Sequence, residues 1–238
     1  MEDYYGLANF FATLFKMETT SLPEGSYYSV ALSGGSTPLH IFDNIAKYGK
    51  NMVNWSKIRF FWGDERCVPP DHEESNYKMT KEHLLDHLPI PHENVFRIQG
   101  ENDPVKEAKR YSELVRNQLP IEGNRPVFDL VMLGIGDDGH TASIFPPDIA
   151  LFDQDEYYIA TQNPYSGQNR ISATGQITNY ARRTIFVATG KAKAPIISTI
   201  ITKGEGFELY PASKVDPING HVEYALDREA ASMLPHLN

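Results

Sequence analysis

Four short apolar runs, at residues 27–32, 58–62, 128–133 and 184–187, constrain this chain more than any other feature of it. Each is too short for a buried helix, and the first three run straight into loops of glycine or charge. Such runs, bounded by turn residues, are the pattern of strands covered on both faces of a sheet. Helical spacing fills the intervals. Residues 7–17 repeat apolar side chains every third or fourth position, and a turn at Pro23-Glu24-Gly25 separates them from the first strand. Leu39, Ile41, Phe42 and Ile45 continue the helical pattern, and further helices are expected over 77–88, 105–119, 193–201 and 221–234. Shorter strands are expected at 95–98 and 157–161. Alternation of this kind predicts an α/β fold with a mostly parallel, Rossmann-like sheet and helices on both faces. No repeat, low-complexity tract or linker interrupts residues 1–238, so one domain is expected.

A chain of 238 residues is long enough to bury a substantial core. No apolar run approaches membrane-spanning length. A basic segment followed by an apolar core is missing from the N-terminus, so no export signal is expected. Cys67 is the single cysteine. It excludes an intramolecular disulfide and suits a reducing compartment, so a cytoplasmic protein is expected. A net charge of −9 argues against nucleic acid or an anionic membrane as partner. It leaves open a small anionic substrate held by a few focused cations. Oligomeric state stays open between monomer and weak dimer.

Ligands of parallel sheets sit beyond the carboxyl ends of the strands. Three loops leave such ends here. The first, Ser33-Gly34-Gly35-Ser36-Thr37-Pro38, has the parts of a phosphate cradle. Gly34 and Gly35 bare the backbone N–H groups, a helix N-terminus follows, and Ser36 and Thr37 add hydroxyls. Pro38 suits the first helical position, with Ser36 or Thr37 as cap. The loop lacks the Gly-Lys-Ser/Thr of a nucleoside-triphosphate site. An ordinary capped turn is the competing reading. The second loop, Asp64-Glu65-Arg66, puts both signs of charge at the strand end; Arg66 either binds substrate oxygen or pairs with Asp64 or Glu65.

In the third loop, residues 134–146, Gly134, Gly136 and Gly139 match a dinucleotide fingerprint. Asp137 and Asp138 would repel a pyrophosphate, however, and Pro146-Pro147 deny it a helix N-terminus. Glu156, moreover, precedes the next strand where a ribose-binding acid should follow it. The better reading is His140 as a general base near neutrality, oriented or charge-stabilised by Asp138. Arg170 and Lys193 are further candidate phosphate ligands. Lys193 opens a predicted helix, an unfavourable place for a cation unless an anion binds there. His83 and His87 share a helical face but lack a third metal ligand, and Cys67 has no metal or nucleophile signal.

Taken together, the strings LSGGSTP (32–38), DERCVP (64–69) with Ser75-Asn76, and LGIGDDGHTASIFP (133–146) resemble the 6-phosphogluconolactonase family, the relatives of glucosamine-6-phosphate deaminase. RISAT (170–174) and GKAKA (190–194) match less closely, and the likeness runs from about residue 32 to 227. It implies hydrolysis of 6-phospho-D-glucono-1,5-lactone to 6-phosphogluconate in the oxidative pentose phosphate pathway, without organic cofactor or metal. It implies His140 as catalytic base, Asp138 and Arg66 beside it, and Gly34, Gly35, Ser36, Thr37, Arg170 and Lys193 around the phosphate. Asp64, Gly136 and Gly139 join as substrate-binding positions. RISAT replaces a run with threonines, and Tyr224 stands where a tryptophan is common. The deaminase alternative carries a glutamate beside the closing proline and tyrosine after Asp-Glu, where this chain has Phe145 and Arg66. A non-catalytic sugar-phosphate sensor is the third reading.

Overall fold

A computed structural model describes residues 4–235. In chain order α1 (Tyr4–Ser21) leads into β1 (Tyr28–Leu32), α2 (Ser36–Tyr48), β2 (Ile58–Trp62), β3 (Asp64–Arg66), α3 (Asn76–His83) and α4 (Pro104–Gln118). A minimal hairpin of β4 (Ile121–Glu122) and β5 (Arg125–Pro126) precedes β6 (Leu130–Leu133). The remainder is β7 (Tyr158–Gln162), β8 (Asn169–Ala173), α5 (Gly175–Thr178), β9 (Arg183–Ala188), α6 (Ala194–Ile201) and β10 (His221–Leu226).

The main sheet has five strands in the order β10-β9-β6-β1-β2, all pairs parallel. Leu32 lies opposite Trp62 and Leu133 opposite Phe186, so the carboxyl ends of these strands share one rim. Alternation along the buried strands splits the core in two. Val30, Leu32, Leu130 and Met132 join Leu7, Phe11, Ile41 and Phe42 of α1 and α2 on one face. On the other, Ala31, Phe61, Val131 and Leu133 join Ala108, Tyr111 and Val115 of α4 and Ile196, Ile197 and Ile200 of α6. Each large apolar side chain so buried contributes about 1.5–3 kcal/mol, which is why both faces must be covered. The expected α/β architecture is present.

A second sheet, β3-β8-β7, is antiparallel and stands at the rim. Gly63 joins the two: its N–H donates to Leu32 of β1 at 2.8 Å, and its carbonyl accepts from Ala173 of β8 at 2.7 Å. One residue therefore belongs to both ladders. The junction is braced from below, where the Trp62 N–H donates to the Tyr111 hydroxyl (3.0 Å) and the Tyr158 hydroxyl donates to the Trp62 carbonyl (3.0 Å).

Several sequence expectations need correction. Residues 221–234 do not form a helix: His221–Leu226 is the last parallel strand, paired with β9 throughout its length. Asp227 then ends the strand by accepting from the N–H groups of Gly190 and Ala230. Residues 95–98 make only a single parallel bridge, Phe60 to Val95. The Phe96 carbonyl goes to a side chain, the Tyr111 hydroxyl (2.8 Å), and so does the N–H of the residue following this stretch, Gln99, which donates to Glu107 (2.7 Å). The strand at 158–162 exists but lies in the antiparallel sheet, paired with β8, which the sequence reading did not mark as a strand. Neither Ser36 nor Thr37 caps α2; Gly35 occupies that place, at φ +103°, with no side-chain cap. The helix at 77–88 shortens to α3, with a single 3₁₀ turn, Leu85–His87, before Pro89. Among the described residues no helix is long and apolar enough to cross a membrane.

Candidate active site

The loops leaving β1, β2 and β6 converge on one cleft of about 200 Å³, closed on its other sides by β8 and the start of α6. Gly34, Gly35, Ser36, Thr37, Asp64, Arg66, Gly136, His140, Arg170 and Lys193 all line it. Asp138 and Gly139 do not. Asp138 stands behind the imidazole, and Gly139, at φ +78°, packs its bare Cα against Tyr210.

His140 is held by its own loop. Asp138 Oδ1 accepts from the His140 backbone N–H (3.1 Å) and lies 2.7 Å from its Nδ1. With the Nδ1 proton directed at that carboxylate, the free lone pair is on Nε2. Phe145 covers the ring at 4.7 Å between centroids. Gly136 is required for this fit, since an added Cβ would sit 2.0 Å from Nδ1. Burial alone would raise the Asp138 pKa. Hydrogen bonds from the His140 backbone, the Tyr165 hydroxyl and the imidazole outweigh it and hold the carboxyl below its ordinary 3.8. The pair is thus an ionised carboxylate orienting an imidazole.

Beyond Thr141 the chain turns tightly. Thr141 and Ile144 exchange both backbone hydrogen bonds, and Ala142 between them takes φ +47°, an uncommon conformation for a residue with a Cβ. This turn aims the Ser143 hydroxyl at Asp64 Oδ2, 2.6 Å away. Asp64 is also contacted by Asn76, whose amide donates to its carbonyl at 3.0 Å. Asn76 in turn packs on Gly34, where an added Cβ would lie 1.9 Å from Asn76 Oδ1. Three loops are therefore locked through one buried acid. Its neighbour Glu65 faces the other way and accepts from the N–H groups of Arg66, Asn76 and Tyr77 and from the Ser75 hydroxyl. Burial pushes the Glu65 carboxyl up against the pull of those donors.

Cations gather on the facing side. Arg66 pairs with neither Asp64 nor Glu65; its guanidinium donates to the Glu74 carbonyl at 2.6 Å. Register across β3 and β8 sets it opposite Arg170. Both Nε atoms are buried without a hydrogen-bond partner. Burial and then the charge of Arg66 push the Arg170 pKa down, the sign of a cation short of anions. Lys193, just ahead of α6, reaches Asp137 Oδ1 at 2.6 Å, and this aspartate is 76% exposed. The uncapped N-terminus of α2 adds partial positive charge to the same space.

Residues 7–224 match the family model described as glucosamine-6-phosphate isomerases/6-phosphogluconolactonase. A 6-phosphogluconolactonase of Haemophilus influenzae is 42% identical over 207 residues, covering 86% of this chain and 87% of that one. The chain belongs to the 6-phosphogluconolactonase family. Among solved structures, that of the devB protein superposes with a TM-score of 0.89 at 35% identity, covering 98% of this chain and 96% of the other. The 6-phosphogluconolactonase of Trypanosoma brucei gives a TM-score of 0.81 at 28% identity, with 98% and 97% covered.

Within this 6-phosphogluconolactonase-family cleft, sequence reasoning did not single out Ile135, Ala142, Val187 and Ala188 as lining residues, and it passed over the roles of Asn76 and Ser143. Asn76 had a signal, because Ser75 precedes it as a helix cap and its side chain accepts from the Lys78 N–H. Ser143 had none apart from its place in the long motif. His83 and His87 lie away from the cleft, His83 against Asp43 and His87 against the Glu82 carbonyl.

Proposed function

We propose that the chain hydrolyses 6-phospho-D-glucono-1,5-lactone to 6-phosphogluconate, with His140 as general base. One observation carries the reading: an imidazole pinned at Nδ1 by Asp138 lines the same cleft as the Gly34-Gly35 loop, Arg170 and Lys193. The phosphate docks on the loop at 33–38, drawing Lys193 from Asp137 and partnering Arg170. That grip turns C1 of the lactone toward Nε2 of His140. The base takes a proton from water as its oxygen bonds to C1, and Asp138 stabilises the imidazolium. The resulting oxyanion is met by Arg66 or by backbone N–H groups of the glycine turn. When the C1–ring oxygen bond breaks, the imidazolium returns the proton to the departing oxygen, and the acid product ionises. A lactone already hydrolyses in water, so positioning and proton transfer suffice.

Phe145 argues against the deaminase alternative, because an apolar ring covers His140 where that reaction needs an acid. Adding fresh lactone in weak buffer separates the three readings. Proton release with turnover is expected. Ammonia from glucosamine-6-phosphate would establish the deaminase, and saturable binding without turnover the sensor.

A further inference from the structure

The turn joining β7 to β8, residues 163–168, contributes nothing to the cleft wall, yet its tip reaches the acid–base pair. We propose that Tyr165, at this tip, is a positioning residue that grips the outer oxygen of Asp138 and so fixes the His140 imidazole against the cleft. The proposal rests on the lactonase reading of His140.

The Tyr165 hydroxyl donates to Asp138 Oδ2 at 2.8 Å. The other oxygen, Oδ1, is already occupied by the backbone N–H and Nδ1 of His140. A carboxylate held through one oxygen is free to rotate about its terminal torsion, which is broad. Donors on both oxygens fix its plane, and the plane of the carboxylate sets the direction of the imidazole. The ring of Tyr165 adds a second hold, standing edge-on to Phe145 at 6.1 Å, while Phe145 covers His140 from the other side. One residue thus touches both groups that confine the base.

The tip is itself braced. Asn163 Oδ1 accepts from the N–H groups of Tyr165 (2.9 Å) and Ser166 (3.1 Å), and the Gly167 N–H returns to the Asn163 carbonyl (2.8 Å) with Gly167 at φ +71°. Gln168 then donates to Glu74 Oε2 at 2.9 Å, and the Glu74 carbonyl is the acceptor for Arg66. The turn therefore ties the base to the segment that holds Arg66. Tyr165 is 68% exposed, so its hydroxyl adds little to the stability of the fold. An exposed tyrosine whose hydroxyl meets the one carboxylate behind the base is better explained by alignment than by packing.

Tyr165→Phe keeps the ring and removes the hydroxyl. It is expected to lower kcat by about 3–10-fold with KM unchanged, the size of one hydrogen bond, and to leave the melting temperature in place. In an Asp138→Ala background the same change is expected to have no further effect. Unaltered kcat, or an equal loss with and without Asp138, would overturn the proposal. A substrate-free readout is the NMR signal of the His140 Nδ1 proton that meets Asp138: Tyr165→Phe should broaden it through faster exchange with water, and an unchanged signal counts against the proposal. If the native protein fails to turn over lactone, the lactonase reading falls, while that signal still reports on the Tyr165–Asp138 contact.

Discussion

On the proposed reading His140 depends on the hold of Asp138, and both were legible because they sit two positions apart in a glycine loop. Replacing His140 by Asn should lower kcat by roughly 10²–10⁴ with KM little changed, as steady-state rates on fresh lactone would measure. Asp138, held below its ordinary pKa, gives its full contribution to stability above the unfolded value of 3.8 and loses it only as pH falls through the lower, folded one. Asp138 should therefore stay ionised on mild acidification, and the pH profile of kcat/KM should show no loss from its protonation there. Lys193→Ala should raise KM for the phosphorylated lactone and leave hydrolysis of an unphosphorylated lactone unaffected. Equal losses on both substrates would put the phosphate elsewhere. Since Asp137 occupies Lys193 in the free cleft, Asp137→Asn should lower that KM by about 2–5-fold, the range of an exposed ion pair. Tyr165 was not legible. It lies 27 positions from Asp138, exposed in a polar turn, and nothing local marks it.

Elements whose pattern is set by burial were read correctly, and those set by a neighbour were not. β1, β2, β6 and β9 are apolar because both faces of the sheet are covered. β8 carries Asn169, Arg170 and Ser172, of which Arg170 lines the cleft, so its sequence does not resemble a strand. In β10, Val222, Tyr224, Ala225 and Leu226 fit a helical spacing as well as a strand, and only the open edge of β9 decides between them. The glycine loops were legible as close approaches, but not what they approach. Gly34 is bare because Asn76 lies against it. Gly34→Ala should push that amide off Asp64 and lower kcat/KM by roughly 10²-fold, the cost of misplacing a site by about an ångström. Circular dichroism should stay native, since the sheet beneath is untouched.

At the scale of the whole molecule, the site lies at a seam between two sheets that meet at Gly63, so anything gripping both sides should stabilise the fold. Saturation with the product 6-phosphogluconate at about 100 times its Kd should add about 2.7 kcal/mol. For a chain of this size that raises Tm by roughly 5–10 °C, and Lys193→Ala should remove most of the increase in a thermal-shift measurement. The same seam has an experimental cost. The β3–β8 register forces two guanidiniums to face one another with buried nitrogens lacking acceptors. Sulfate, citrate or orthophosphate from a stock solution should settle there and be mistaken for weak substrate affinity, so constants taken in zwitterionic media and in phosphate are expected to disagree.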